Sequence, residues 1–327
     1  MTRVFSAALL LALSLAAVPA PAADPPARRD GAANATADSK TDAAFKAIYE
    51  KEWAWRQQHD GGADEDSDGG KLNPKLPDVS AAAQQERLRV WDEVLRQLDA
   101  LDPQRLSAAN QVNLAVYREQ VHNLAENVRL RSYEMPFNSD NLNFMARRSM
   151  ANADEYRAYI AQLNDVPRHF DQQIDNMRAG LARGFSVPRA VLDGREGSIA
   201  AVATLKDPTA AALYAPFKSM PAKIPAAEQQ ALREAAQAAI TGSVIPAFAR
   251  LQTFFGEEYV PAARTTLAAS AMPGGQAWYR QQIREYTTLD LGPEQIHQIG
   301  LDEVARIRGE MDAIIDQLGF RGRSPET

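Results

Sequence analysis

The chain has 327 residues, 42 acidic side chains against 36 basic ones, 45% hydrophobic residues and no cysteine. Charge this mixed and mildly acidic lacks the basic footprint of a nucleic-acid binder. The missing cysteine excludes disulfide staples, thiolate catalysis, iron–sulfur clusters, cysteine zinc sites and lipid attachment through a cysteine, so the core alone must hold the fold.

At the start, Arg3 precedes an apolar run from Val4 to Val18, and Ala20-Pro21-Ala22 supplies the small-x-small pattern of a signal-peptidase site. This reads as a signal peptide over residues 1–22, cleaved before Ala23, because the run is shorter than the ~20 residues of a membrane span. The expected location is therefore periplasmic or secreted, with no membrane contact after cleavage. Residues 23–40 are rich in Ala, Pro, Asp and Thr without periodicity and read as a disordered tether. From Thr41 to about residue 320 the pattern is helical almost everywhere, and residues 321–327 read as an irregular tail.

Phe45, Ile48 and Trp55 fall on one helical face that only Glu52 breaks. Asp64 to Gly69 opens like a calcium loop, but its twelfth position is Lys75 rather than a bidentate Glu, so it reads as an acidic loop. Leu88, Trp91, Leu95 and Leu98 step by three and four, as do Leu114, Tyr117, Val121, Leu124 and Val128. Met135 to Asp140 reads as a polar turn, with Asn138, Ser139, Asp140 and Asn141 as a helix cap. The longest stripe is Tyr156, Ile160, Leu163, Phe170, Ile174, Met177 and Leu181, kinked at Pro167 and opened by Asn152 with Glu155.

Two more helices are expected over roughly 226–255 and 293–318, the second with Pro293 at its first position. Ile296, Ile299, Val304, Ile307, Met311, Ile314 and Leu318 mark one face of that last helix, and such a stripe needs a partner surface. Strand signals are absent. The fold class is all-α, a multi-helix array of long antiparallel amphipathic helices, incomplete at its C-terminus, with an apolar patch left exposed.

Chemistry is sparse. None of His59, His122, His169 and His297 begins a His-Glu-x-x-His helix, and neither a nucleophile elbow nor a phosphate loop occurs. Glu119-x-x-His122 and Glu294-x-x-His297 match half of a di-iron bundle motif. Glu294 lies off its helix stripe, however, and both pairs read as solvated. Trp53 with Trp55, and Trp278 with Tyr279, read as core with one exposed ring in the first pair. The strongest remaining substrate-binding candidates are Gly274, Gly275, Tyr286, Thr287 and Thr288, where a backbone nest and hydroxyls could hold a carboxylate. No catalytic or metal-binding residue emerges.

Met272 to Tyr279, Tyr286 to Ile307, Leu76 to Ser80, Tyr133 to Asp140 and Gly180 to Pro188 together resemble the Domain of Unknown Function 885 family, in that family's usual order. The resemblance implies an exported helical protein nearly twice this length, whose C-terminal half carries a His-Glu-x-x-x-Gly-His-His type segment suggesting a zinc-dependent peptidase. That segment has no counterpart here. The resemblance thus implies the N-terminal half of such an enzyme, inactive alone, with no cofactor in this chain, zinc in the full-length family, a peptide substrate and the missing half as partner. The alternative is a non-enzymatic periplasmic binding or scaffold module.

Overall fold

The computed structural model describes residues 39–59 and 73–319, all but the side chains of Ser39, Asn141 and Phe144. The expected signal peptide, most of the tether, most of the acidic loop and the tail lie outside the described residues. Among the described residues every regular element is helical, as the periodicity requires.

The first three helices, α1 (Ser39–His59), α2 (Ala81–Asp99) and α3 (Ala108–Arg129), share one apolar cluster. Ser80 and Ser107 cap the second and third by accepting the amides of Ala83 and Asn110, which fixes where each helix starts. Ion pairs from Arg118 to Asp99 and from Arg129 to Asp92 place α2 and α3 antiparallel. Phe45, Trp91, Leu98, Leu106, Leu114 and Val121 fill the space between them.

Glu52, the residue that interrupts the α1 stripe in sequence, is itself buried at 2% exposure. Its carboxylate accepts a fork from Arg56 (2.9 and 2.9 Å), the Trp91 indole N–H (3.1 Å) and the Tyr117 hydroxyl (2.8 Å). A buried charge is tolerated when its oxygens are fully bonded, so the apparent break is a polar pin joining all three helices. Burial and the neighbouring carboxylate push the Tyr117 phenol well above its ordinary range.

The second cluster is built around α5 (Ala153–Ala182), which the short α4 (Leu142–Met145) precedes. Asn152 caps α5 by accepting the amides of Asp154 and Glu155, and Glu155 reaches back to the amide of Ala151. The helix runs through Pro167 to Ala182. Leu163, Val166 and Phe170 have no exposed surface, and each such side chain contributes about 1.5–3 kcal/mol.

After α6 (Glu196–Ala203) and α7 (Ala215–Lys218), α8 (Ala226–Ala239), α9 (Ile245–Phe254) and α10 (Val260–Ala262) form one helical run. Its two joints are wide π turns at Ile240–Val244 and Phe255–Tyr259. Each lies just ahead of a proline, Pro246 and Pro261. A proline ring collides with the carbonyl four residues earlier, and a wide turn relieves that clash without ending the helix. Arg157 to Glu228, Ser243 to Asn164, Arg250 to Asp171 and Arg178 to Glu258 link this run to α5. The α5 partners recur every seven residues in the same order as theirs, so the two run parallel.

The last helices are α11 (Gly275–Thr287) and α12 (Pro293–Gln317), the latter starting with Pro293 in its first turn.

Candidate functional site

Three segments that are far apart in sequence meet where α3, α5 and α11 converge. The turn after α3 carries Glu134, 3% exposed, which pairs with Arg183 at the end of α5 and, at 3.9 Å, with Arg131. The Arg183 guanidinium lies 3.8 Å from the Phe185 ring centroid, and Phe185 meets the Trp278 ring edge-on. The indole N–H of Trp278 donates to Ser132 Oγ at 3.2 Å, returning to the first turn.

Two glycines make this closure possible. Gly184 takes φ +75° after α5, while Phe185 N–H and Gly184 N–H reach the carbonyls of Gly180 and Leu181, a glycine-terminated helix end. A Cβ on Gly180 would stand 2.7 Å from the Glu134 carbonyl oxygen and 2.8 Å from that of Phe185, both backbone. The result is a knot in which each charge has a partner, suited to holding three helices in register rather than to moving protons.

A second assembly lies on another face of α5. Asp165 accepts the amide of Leu76 and Arg168 donates to the Leu76 carbonyl, at 2.9 and 2.8 Å. Gln172 accepts the amide of Val79 and Asn176 donates to the Val79 carbonyl, at 3.1 and 2.7 Å. Helical spacing of four and three residues thus reads the backbone of one extended segment. Burial opposes the Asp165 charge, but the Arg168 fork and the Leu76 amide outweigh it and hold its pKa below the ordinary value.

His169 Nδ1 meets the Pro77 carbonyl at 3.1 Å; a carbonyl only accepts, so that nitrogen carries the proton. Burial depresses the His169 pKa more than that bond raises it.

The five substrate-binding candidates do not gather into one site. Gly274 and Gly275 open α11, with Gly274 at φ +69° and Gly275 pressed against the Ala269 carbonyl. Thr287 and Thr288 close the same helix, about 18 Å away at 1.5 Å per residue. Thr287 Oγ1 donates to the Ile283 carbonyl and accepts the Leu289 amide, Thr288 is the left-handed C-cap, and Tyr286 is 83% exposed. These hydroxyls serve the helix end rather than a nest at its start.

Two of the four histidines face backbone carbonyls. His59 stacks on Trp55 with Nδ1 at its carbonyl, and His169 faces Pro77. Glu119 is held in a fork by Arg284, and Glu294 and His297 are exposed on α12. Among the described residues no three His, Asp or Glu side chains cluster as a ligand set. A shallow groove of about 560 Å³ lies between α5 and α9, floored by Ile174 and Phe254. Its rim charges pair across it, Asp171 with Arg250 and Arg178 with Glu258.

The model of a family described as bacterial protein of unknown function (DUF885) matches residues 62–327. The chain belongs to that family. No curated protein matches it. Among solved structures it is similar to a candidate lipoprotein from Colwellia psychrerythraea, at 16% identity and a TM-score of 0.70, over 86% of this chain and 52% of that one. The chain therefore spans about half the length of that relative, and the likeness supports the same all-helical fold.

The segments through which the chain resembles DUF885 proteins include those that build the two assemblies above. Leu76–Ser80 is the irregular segment held by α5, while Tyr133–Asp140, Gly180–Pro188 and Met272–Tyr279 meet at the Glu134 knot. Periodicity missed this convergence because the contacts are carried by turns. The glycines and the buried acids within them were the available signal.

One DUF885 element stays outside both cores. No residue of α12 is buried. Val304, Ile307, Met311, Ile314 and Leu318 are 50, 44, 55, 54 and 63% exposed, so the apolar stripe expected from sequence has no cover among the described residues.

Proposed function

We infer that this chain is the helical, substrate-walling part of an exported zinc-dependent hydrolase of the peptidase kind, and is not a self-sufficient enzyme. The observation that carries the reading is the open α12 stripe in a chain that spans 52% of its solved relative. Half of a larger helical fold would expose such a face. The description of that relative as a candidate lipoprotein supports export.

No three His, Asp or Glu side chains cluster among the described residues, and this reading takes the zinc ligands from the remainder of the fold. This chain's contribution is positional. The Glu134 knot fixes α3, α5 and α11 against one another, the Leu76–Val79 clamp ties the segment ahead of α2 to α5, and rigid helices bordering a cleft orient an extended peptide for attack.

The test is zinc content and peptide cleavage, measured for the purified chain beside a form carrying a complete DUF885 fold. Zinc and cleavage in the complete form alone support the reading. Stoichiometric zinc or cleavage in the present chain sinks it, whereas peptide binding by a metal-free complete fold would favour a binding module.

A further inference from the structure

The exposed apolar residues of α12 repeat in strict steps of three and four from Val304 to Leu318, the spacing of a helix packed along another helix. Leu301 and Ile315 sit beside that seam and widen it. A seam of two positions in seven suits a single partner helix, whereas a third apolar position makes a stripe wide enough to face a core. The covering structure must therefore present more than one helix.

A second open edge lies on α3, beside the end of α11 from which the chain leads into α12. The α11-facing line of α3 runs through Asn123 and Glu119, which hold Gln281 and Arg284 of α11. The same line continues one and two turns earlier with Val116 and Val112, 54 and 63% exposed. By then α11 has ended at Thr287. Tyr286 and Leu289, 83 and 53% exposed, stand at that end and lead into α12. An existing helix seam thus stops short and leaves its apolar line uncovered.

We propose that α12 and the open end of the α3 seam form one docking face, and that its occupant is a helical layer from the remainder of the DUF885 fold. This rests on the reading above that the chain is part of a larger enzyme. It adds where the two parts meet and what chemistry the covering surface has: apolar helices lying along α12, with a further helix extending the α3–α11 seam. Self-pairing fits less well. A single helix of a second copy would cover two positions in seven and leave Leu301 and Ile315 beside the seam without cover.

The test uses this chain, an Ile307→Glu/Met311→Glu variant and a Val116→Glu variant. The probe is a separately produced polypeptide carrying the remainder of the fold from a full-length DUF885 protein. Light scattering should give a one-to-one complex with the parent. The double variant should bind at least about a hundredfold more weakly, since docking would have to bury two carboxylates where the parent buries apolar side chains. Val116→Glu should weaken binding about tenfold, and both variants should melt with the parent because the replaced side chains are exposed.

No complex with the parent, or equal binding by parent and double variant, overturns the proposal. So does a parent homodimer that the double variant disrupts, because a second copy is then the occupant. A complex that forms as expected but holds no zinc and cleaves no peptide leaves the docking face standing and removes only the hydrolase reading.

Discussion

Replacing Glu52 with Ala tests whether the polar pin, rather than the surrounding apolar contacts alone, holds α1 to α2 and α3. The substitution deletes the acceptor of four hydrogen bonds and leaves the indole N–H of Trp91, in a residue 4% exposed, with nothing to bond. A buried donor left so costs about 1–3 kcal/mol. Breaking a buried charge pair costs about 3–5 kcal/mol, but the Arg56 side chain is 21% exposed and can turn partly to water, so that figure is discounted. The sum is near 3 kcal/mol. For a domain of this size, about 2–4 °C per kcal/mol makes the expected fall in Tm about 6–12 °C. Glu52→Gln with its oxygen in the Oε1 place keeps an acceptor for Trp91 and the Arg56 Nε–H, but sets its NH2 against the Tyr117 hydroxyl and the Arg56 Nη2–H, and should lose about half as much. Thermal melts followed by circular dichroism measure the loss, and the near-ultraviolet signal of Trp91 localises it. A Glu52→Ala protein melting within about 2 °C of the parent would refute the pin.

Three further outcomes are expected. Gly275→Ala should cost about 3 kcal/mol or more in chemical denaturation, because its Cβ would stand 1.8 Å from the Ala269 carbonyl oxygen and α11 would have to move. Gly256→Ala, which meets open space, serves as the control. The buried Tyr259 hydroxyl makes no hydrogen bond of good geometry, its polar neighbour being the Val187 backbone, so Tyr259→Phe should change stability by no more than about 1 kcal/mol in either direction. A clear loss would mean the hydroxyl has found a partner.

His169 has a folded pKa below 6.5, so the unfolded chain binds more protons as pH falls through that value. Its contribution is present above pH 6.5 and lost on acidification through the folded pKa. Melting temperature should therefore decline below about pH 6.5, less steeply in His169→Gln. Identical slopes in the two proteins would remove His169 as the cause.

Helix existence was legible because Ala-rich amphipathic runs with period 3.6 have few other outlets. The stripes of α3, α5 and α12 emerged with nearly the residues that periodicity assigns. On α2 Val94 and Arg87 are buried beside Trp91 and Leu98 while Leu95 and Leu88 pack half-buried against the same cluster, a widening unforeseen because the Arg87 guanidinium is drawn inward to the Asp78 carbonyl. The run over 226–262 outlasts the expected end near Phe255, since a π turn lets it pass Pro261.

Long-range polar contacts were not legible. Glu52 resembled a defect because one helix cannot disclose that Trp91 and Tyr117 point at it. Glu134 and Arg183 lie in separate turns with no periodic signal between them. The five candidates around α11 were drawn together by nearness in sequence, and a helix of thirteen residues then held its two ends apart. The exposed stripe of α12 was readable in advance, because a wide apolar face implies a cover whether or not the cover is at hand.

The most direct test of the account is zinc per chain, measured by mass spectrometry on the purified protein after exhaustive dialysis against buffer containing trace zinc. The account predicts a substoichiometric trace that the His59, His122, His169 and His297 variants leave unchanged. One zinc per chain, lost on replacing any of these histidines, would place a metal centre within this chain and contradict it.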